Sequence, residues 1–360
     1  MKKDIKIAIH RRVGSFSNYW LDWCLKNNIN HKIVNAYDND IIEQLGDCDG
    51  FMWHWHQDSY ADQIFARQLT IAITGMGIKV FPDFNTSWHF DDKIGQKYLF
   101  ESKGLPHVKT YLFYEKYKAL DWIRSAQYPV VFKLRGGAGS NNVKLIRNKH
   151  KAIRYVKKSF SSGFPAVDVY EVARQALWVY RRDRKIKDII RFGYYIIRTI
   201  AGLKPKSAFL REKQKGYVYF QEYIPDNTYD DRLVVVGDRC FCVRRMCREN
   251  DFRASGSGVK RYDHELFPKE SVKLAFLTAK IIGSQSIAMD IVYDKKCRPR
   301  IVEISYCFVM GKFYEDCDGY FNSKIEWVNE RVTPQIFMIE DFIESIKGEK
   351  GFGKGNVSCT

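Results

Sequence analysis

No stretch of the 360 residues is apolar for long enough to cross a bilayer. The opening "MKKDIKIAIH" alternates charged and apolar side chains where a secretory leader would carry an unbroken apolar segment. Neither a membrane span nor secretion is expected, and the expected address is the cytoplasm. Paired cysteine spacing is missing as well: nine cysteines are scattered along the chain, which suits a reducing compartment. The tightest set, Cys240, Cys242 and Cys247, falls in a strand-like stretch and its exit. It lacks the paired spacing and fourth ligand of a zinc site, so these read as structural thiols. There is no internal repeat. Acidic charge is scarce: 59 Lys and Arg stand against 42 Asp and Glu, a net of +17. From Arg174 to Lys215, 13 Lys or Arg face only Asp183, Asp188 and Glu212, so +10 of that charge sits in one segment.

What is present is ample apolar material, 45% hydrophobic and 15% aromatic, enough for two or three lobes with buried cores. The first ninety residues alternate strand and helix signals: "IKIAIH", a helix over Tyr19 to Lys26, "HKIVNAY", "GFMWHWH", a helix over Ala61 to Thr74, then "GIKVFPDF". Such alternation predicts a parallel sheet covered by helices, a small Rossmann-like lobe. A helix from about Asp92 to Ser102 follows, stopped at Gly104 and Pro106, then a strand and a short helix over Asp121 to Ala126. Val167 to Lys215 reads as mostly helical. Beyond it come the strand "YVYFQEYI", the pair "RLVVVGD" and "CFCVRRM", a helix near Ser271 to Gly283, and the strands "SIAMDIVYD" and "RPRIVEISYCF". The tail "GEKGFGKGNVSCT" is Gly-rich and reads as disordered.

Two features carry chemistry. "VVFKLRGGAGSNNVKLI", Val130 to Ile146, sets a glycine loop between two apolar runs. It is not a Walker loop, because its Lys133 precedes the glycines and no Lys-Ser/Thr follows them. It is not a dinucleotide fingerprint, because Val143, Leu145 and Ile146 look like a returning strand and not a helix. Alone, it could be a surface turn. Asp290 and Glu303 each sit inside an apolar strand, joined by the turn "DKKCRP", so antiparallel pairing would bring both onto one face. A carboxylate in a strand core is costly unless its charge is compensated. Magnesium, which takes a couple of carboxylates plus phosphate oxygens and water, is the natural compensator. The alternative is a pair of acids on an edge strand facing solvent.

Between hairpin and carboxylates lie "FQEYIPDNTYDDRLVVVGD" and "RRMCRENDFRASGSGV". This ordered set resembles the ATP-grasp superfamily, in particular the ribosomal-protein glutamate ligases and related carboxylate–amine ligases, over roughly Asp92 to Phe308 with the basic segment interrupting it. The resemblance implies an α/β (α+β) ATP-grasp fold. Its parts would be a Rossmann-like leading lobe at 1–91, a small αβ lobe at 92–215 with a basic helical insertion at about 167–215, a C-terminal lobe with the metal site at 216–347, and a flexible tail at 348–360. ATP would lie between the two αβ lobes with magnesium. The loop Gly136, Gly137, Ala138, Gly139 and Ser140 would close over the phosphates, and Lys133 and Lys93 would contact them, with Lys97 a less suitable substitute for Lys93. Gln221, Glu222, Tyr223 and Ile224 match the adenine-binding hinge, where the Glu222 carbonyl and Ile224 amide would read the base edge. Asp230 matches the ribose acid and Arg232 the arginine of Asp-x-Arg. Arg253 matches the arginine facing the terminal phosphate and the acyl group. Asp290 and Glu303 match the metal ligands, joined by Ser305 where the family usually has Asn. Ser255 likewise stands where Asn is common, and both departures put turnover in doubt.

The implied reaction is ATP- and Mg-dependent amide formation between a carboxylate and an amine through an acyl phosphate, releasing ADP and phosphate. "VEISYCFVMGKFYEDCDGYFN" extends the resemblance toward ATP-grasp proteins of bacterial surface-polysaccharide pathways, with an amino acid and a uronate-containing or lipid-linked glycan as candidate partners. Two rivals stay open: an ATP-grasp phosphotransferase, and a non-catalytic membrane- or glycan-binding protein that keeps the fold. The basic segment 174–215 fits a solvated face, a cationic rim for an anionic substrate, or peripheral contact with the inner membrane face. No nucleic acid is expected, since no binding motif accompanies the charge. A homo-oligomer is compatible with all of this. In "MWHWH", His54 and His56 are expected on one strand face and Trp53 and Trp55 on the other, for packing or substrate contact.

Overall fold

The computed structural model describes residues 5–137, 142–166, 174, 177–178, 180, 190, 193–194, 212–248, 251–254, 258–311, 314 and 316–351. The basic segment lies almost wholly outside these, and its expected helicity with it. Among the described residues no helix is long and apolar enough to cross a membrane.

The first lobe is the parallel sheet expected from the alternation. Strands β1 (Lys6–His10), β2 (Asn30–Val34), β3 (Gly50–Met52) and β4 (Lys79–Phe81) lie in the order β2-β1-β3-β4, every pair parallel. Helices α1 (Phe16–Lys26), α2 (Ile41–Gln44) and α3 (Tyr60–Gly75) connect them, and α4 (Phe84–Ser87) follows β4. Ser15 and Ser59 start α1 and α3 by accepting hydrogen bonds from the backbone N–H of Ser17 and Asp62. The strand expected over "GFMWHWH" ends at Met52. There the chain turns, the Trp55 N–H bonding the Trp53 carbonyl at 3.1 Å, and Trp53, His54 and Trp55 are all buried. Trp53 and Trp55 still share one core, and His54 turns the other way onto Phe16 with the His56 ring 5.8 Å from it, although no strand pairing sets the alternation.

The small lobe holds α5 (Lys93–Ser102), β5 (Thr110–Phe113), α6 (Lys116–Ser125), β6 (Val130–Lys133), β7 (Lys144–Ile146), α7 (Lys149–Ser159) and β8 (Val218–Glu222). Its antiparallel sheet runs β5-β8-β6-β7, so the glycine loop is a true hairpin between β6 and β7. A boundary at 216 would put β8 in the C-terminal lobe, yet β8 pairs with β5 and β6 and belongs to this sheet. Helix α6 begins five residues before the stretch expected. Helix α7 was not foreseen, because "KHKAIRYVKKS" is dominated by charged residues and buries only Ala152, Val156 and Ser159.

The large sheet takes β9 (Tyr229–Val236), β10 (Arg239–Met246), β11 (Lys260–Arg261), β12 (Ser286–Tyr293), β13 (Pro299–Ser305), β14 (Tyr320–Asn322) and β15 (Trp327–Val328), in the order β13-β12-β9-β10-β14-β15 with β11 beside β10. Alternation along β9 sorts its side chains: Leu233 and Val235 join the core under α8 (Lys269–Ile282), while Val234 and Val236 join the core shared with the first lobe. By the same period Asp230 and Arg232 share the face of Val234. Helix α9 (Pro334–Gly351), also unforeseen, crosses the boundary drawn at 348. Its Phe337, Ile339, Phe342 and Ile346 lie in one cluster with Ile7, Ile9 and Trp20 of the first lobe and Val234 and Phe241 of the large sheet. The approach is close, for a Cβ on Gly50 of β3 would stand 2.7 Å from a Phe342 ring carbon.

Candidate active site

One cavity of about 370 Å³ opens between the small lobe and the large sheet. Its floor is the sheet face carrying Asp230 and Arg232. Register places Asp290 directly opposite Arg232 on one side and opposite Glu303 on the other, with Asp230 opposite Arg245. The two strand carboxylates therefore share one face, as the turn between them implied. Arg232 grips Asp290 with two parallel bonds, Nε to Oδ1 at 2.7 Å and Nη2 to Oδ2 at 2.9 Å. Arg245 grips Asp230 in the same way, at 2.6 Å twice, and its Nη2 also lies 2.9 Å from Asp290 Oδ2. Bidentate guanidinium contacts of this kind are what make largely buried carboxylates tolerable. Burial pushes the Asp290 carboxyl up, but Arg232 and Arg245 override it and hold it below the usual carboxylate range. Asp230 is pushed up by burial and by the neighbouring Asp290 charge, against the pull of Arg245.

Both lysines named from the sequence reach this cavity. Lys93 is buried, with Nζ 3.0 Å from Glu303 Oε1 and donating to the Gly137 carbonyl at 2.9 Å. Burial works to lower its pKa, and the charges of Glu303 and Asp91 outweigh that and raise it. Lys133 is buried with no such pairing of comparable strength. Burial pushes it down to about 8, Lys93 adds to the effect, and Glu303 and Asp290 only partly oppose it. Lys97 instead pairs with Glu101 on the flank of α5.

The hairpin is latched to the start of α5. Asp92 caps that helix, its Oδ1 accepting from the N–H groups of Ile94 and Gly95. Its Oδ2 accepts from Arg135 Nε at 3.1 Å, and the Lys93 N–H donates to the Arg135 carbonyl at 2.8 Å. Asp91, at φ +52, accepts the Gly137 N–H at 2.7 Å. A side chain at Gly136 would crowd this contact, since a Cβ there would lie 3.1 Å from Asp91 Oδ2. Ala138, Gly139 and Ser140 lie outside the described residues.

The hinge residues Gln221, Glu222, Tyr223 and Ile224 line the cavity at its far end with apolar Val108, Val131 and Val292. Gln221 is buried, and the Glu222 carboxylate turns aside to accept the Tyr111 hydroxyl at 2.8 Å. Arg253 lines the cavity and is gripped by Asp251 through Nε and Nη2; Ser255 lies outside the described residues. Ser305 lines it too, its hydroxyl donating to the Cys307 carbonyl at 2.6 Å and accepting the Cys307 N–H at 3.2 Å. The histidines part company. His54 packs flat on Phe16 and bonds Ser15 Oγ at 2.9 Å, whereas His56 lines the cavity beside Asp58.

The donor set fits a hard divalent cation. Among the described residues no three His, Cys, Asp or Glu side chains gather round one point. Asp290 and Glu303 supply two carboxylates, Ser305 follows on the same strand, and magnesium is content with that many protein ligands when phosphate and water complete its shell.

Two residues with parts in the site escaped the sequence. Arg245 was legible in principle: the tight turn at Gly237 and Asp238 sets Arg239 opposite Val236, and counting back along both strands brings Arg245 to Asp230. Asn227 was not. Its Nδ2 donates to the carbonyls of Pro225 at 3.2 Å and Tyr293 at 3.0 Å, tying the hinge turn to the end of β12, and nothing local signals that contact.

No family profile matches the chain. The alpha-aminoadipate–LysW ligase LysX of Saccharolobus solfataricus is 24% identical over 221 residues, 61% of this chain and 62% of the ligase, so the chain spans less than two thirds of that curated relative. The RimK domain ATP-grasp protein of Sphaerobacter thermophilus superposes with a TM-score of 0.55 at 14% identity, over 94% of this chain and 99% of that one. The biotin carboxylase domain of the Hydrogenobacter thermophilus 2-oxoglutarate carboxylase, solved with ADP and magnesium, gives 0.56 at 14% identity, over 95% of this chain and 70% of that one. At such identities superposition speaks for the fold. Lobes, hairpin and carboxylate pair agree with it, and the chain has the ATP-grasp fold.

Proposed function

We propose that the protein is an ATP- and magnesium-dependent ligase that joins a carboxylate to an amine through an acyl phosphate. The observation that carries this reading is the single cavity in which Lys93, Lys133, Arg232, Arg253, Asp290 and Glu303 converge from two lobes. Lys93 and Lys133 would contact the β- and γ-phosphates under the latched hairpin. The Gln221–Ile224 stretch holds the base, and Asp230 the ribose. The carboxylate oxygen of the first substrate attacks the γ-phosphorus, the bond to the β-bridging oxygen breaks, and ADP leaves with that electron pair. The amine then attacks the acyl carbon, phosphate leaves with the carbon–oxygen pair, and the amine loses a proton. Such transfer needs charge neutralisation far more than covalent help from protein, and Arg232 and Arg253 supply it at the acyl end. A magnesium ion held by Asp290 and Glu303, with Ser305 beside them, would neutralise the phosphate oxygens. The hairpin excludes water from the acyl phosphate.

LysX is named for joining alpha-aminoadipate to LysW, which supports an amino acid as one partner here. Joining it to an acidic glycan in surface-polysaccharide modification fits the resemblance of "VEISYCFVMGKFYEDCDGYFN" and the +10 segment. Peripheral contact of that segment with the membrane belongs to the same reading.

Thermal unfolding with an ATP analogue, with and without magnesium, tests the nucleotide site without knowledge of the substrate. Ligand at a hundred times its Kd adds about 2.7 kcal/mol to the wild type. Asp290→Asn loses the magnesium-dependent part. No response in either protein at saturating nucleotide sinks the reading. Once nucleotide binds, product analysis discriminates further: ADP and phosphate are required, AMP refutes the acyl phosphate route, and a stable phosphorylated acceptor indifferent to amines identifies a phosphotransferase.

A further inference from the structure

Asp290 has less to offer a metal than its position suggests. A carboxylate presents about four lone-pair positions. Three N–H groups already use three of them: Arg232 Nε on Oδ1, and Arg232 Nη2 and Arg245 Nη2 on Oδ2. One position on Oδ1 remains, enough to ligate one ion through one oxygen and not enough to serve two. Arg245 cannot withdraw to free more. Its Nε and Nη2 are bound to Asp230, both carboxylates are largely buried, and its own side chain is 7% exposed. Swinging it away would strip Asp230 and Asp290 of a partner together.

The other donors point the same way. Glu303 Oε1 is paired with Lys93. The Ser305 hydroxyl donates to one backbone group of Cys307 and accepts from another, leaving one neutral lone pair where a second ion would need a strong oxygen donor.

We propose, building on the ligase reading, that Arg245 is a built-in cation standing in for a second metal, so that the site takes up one divalent ion per bound nucleotide. The inner charges agree. On the sheet face itself Arg232 and Arg245 already match Asp230 and Asp290 charge for charge before any ion arrives. A second ion would crowd a guanidinium fixed on the same oxygen.

The test counts manganese. Wild-type protein at a fixed, saturating concentration of non-hydrolysable ATP analogue is titrated with Mn2+, free ion being read from its paramagnetic resonance signal. Nucleotide binding is followed in parallel with a fluorescent analogue. One Mn2+ per loaded chain is expected in the wild type. Arg245→Gln, which keeps a hydrogen-bond donor for Asp230 but removes the charge, is expected to bind two. Two in the wild type overturns the proposal, and this arm stands even where the variant does not fold. One in both proteins overturns the role given to Arg245. Nucleotide failing to bind the wild type overturns the ligase reading as well, and the fluorescent arm tells that failure from a wrong metal count.

Discussion

Replacing Lys133 by methionine exposes a proton that nucleotide binding must take up. Burial, assisted by Lys93, pushes this ammonium down to about 8 from 10.5, so at pH 8 it is neutral in half of the molecules. A triphosphate beside it restores the charged form. Binding at pH 8 should draw in about 0.5 proton through this group, about 0.9 at pH 9 and almost none at pH 6.5. If only the ammonium form accepts phosphate, Kd rises about tenfold between pH 7 and pH 9, or ~1.4 kcal/mol. Calorimetric titration in two buffers of different ionisation enthalpy measures the uptake. Protonation of the γ-phosphate is common to wild type and Lys133→Met, so their difference belongs to Lys133. Equal uptake in both proteins across pH 7 to 9 would refute the reasoning. Stability carries the opposite sign from a usual lysine ion pair. The folded pKa lies below the unfolded one, so between about pH 8 and 10.5 the unfolded chain holds more protons and stability rises with pH. The contribution is about 3 kcal/mol over that window, and Lys133→Met lacks it.

On the opposite sheet face Asp231 is fully buried and accepts two bonds from Arg244, at 2.7 and 2.9 Å, and one from the Tyr293 hydroxyl. Asp231→Asn should cost about 3 to 5 kcal/mol in urea unfolding while leaving the nucleotide Kd within about twofold, since the residue faces away from the cavity. At Gly50 an added Cβ meets Phe342 at 2.7 Å and Ile346 at 2.8 Å. Gly50→Ala should cost about 1 to 3 kcal/mol, with part recovered in the double variant with Phe342→Ala, and simple additivity of the two would contradict the packing. Gly136→Ala crowds Asp91 and should weaken nucleotide binding with little change in the melting temperature.

The parts of the fold that the sequence disclosed were those governed by local period. Strands β9, β10, β12 and β13 alternate so plainly that Asp290 and Glu303 could be set on one face from spacing alone. Lys93 is preferred to Lys97 only through the match of "DDK" to the family, and the structure sets Lys93 on Glu303 and Lys97 on Glu101. What stayed hidden depends on contacts made far along the chain. "GFMWHWH" looks like a strand by composition, yet only its first three residues pair, because the rings that follow are needed in a core completed by Tyr306. The sheet to which β8 belongs is decided by partners about ninety to a hundred and ten positions earlier. Helix α9 buries apolar residues against two lobes at once, so its pattern lacks the clear polar face that would have announced it.

Helix α9 also has a consequence for how the protein is born. Strand β1 and helix α1 leave the ribosome well before α9, but their inner faces, with Ile7, Ile9 and Trp20, share one core with Phe342 and Ile346, which are made more than three hundred residues later. Trp23 of α1 even donates its indole N–H to Glu340 at 3.2 Å. The first lobe therefore cannot finish its core in the usual order, in which leading domains fold while the rest is translated. For most of synthesis it presents an open apolar surface of the sort that chaperones hold and proteases find. A chain halted before α9 would keep that surface open.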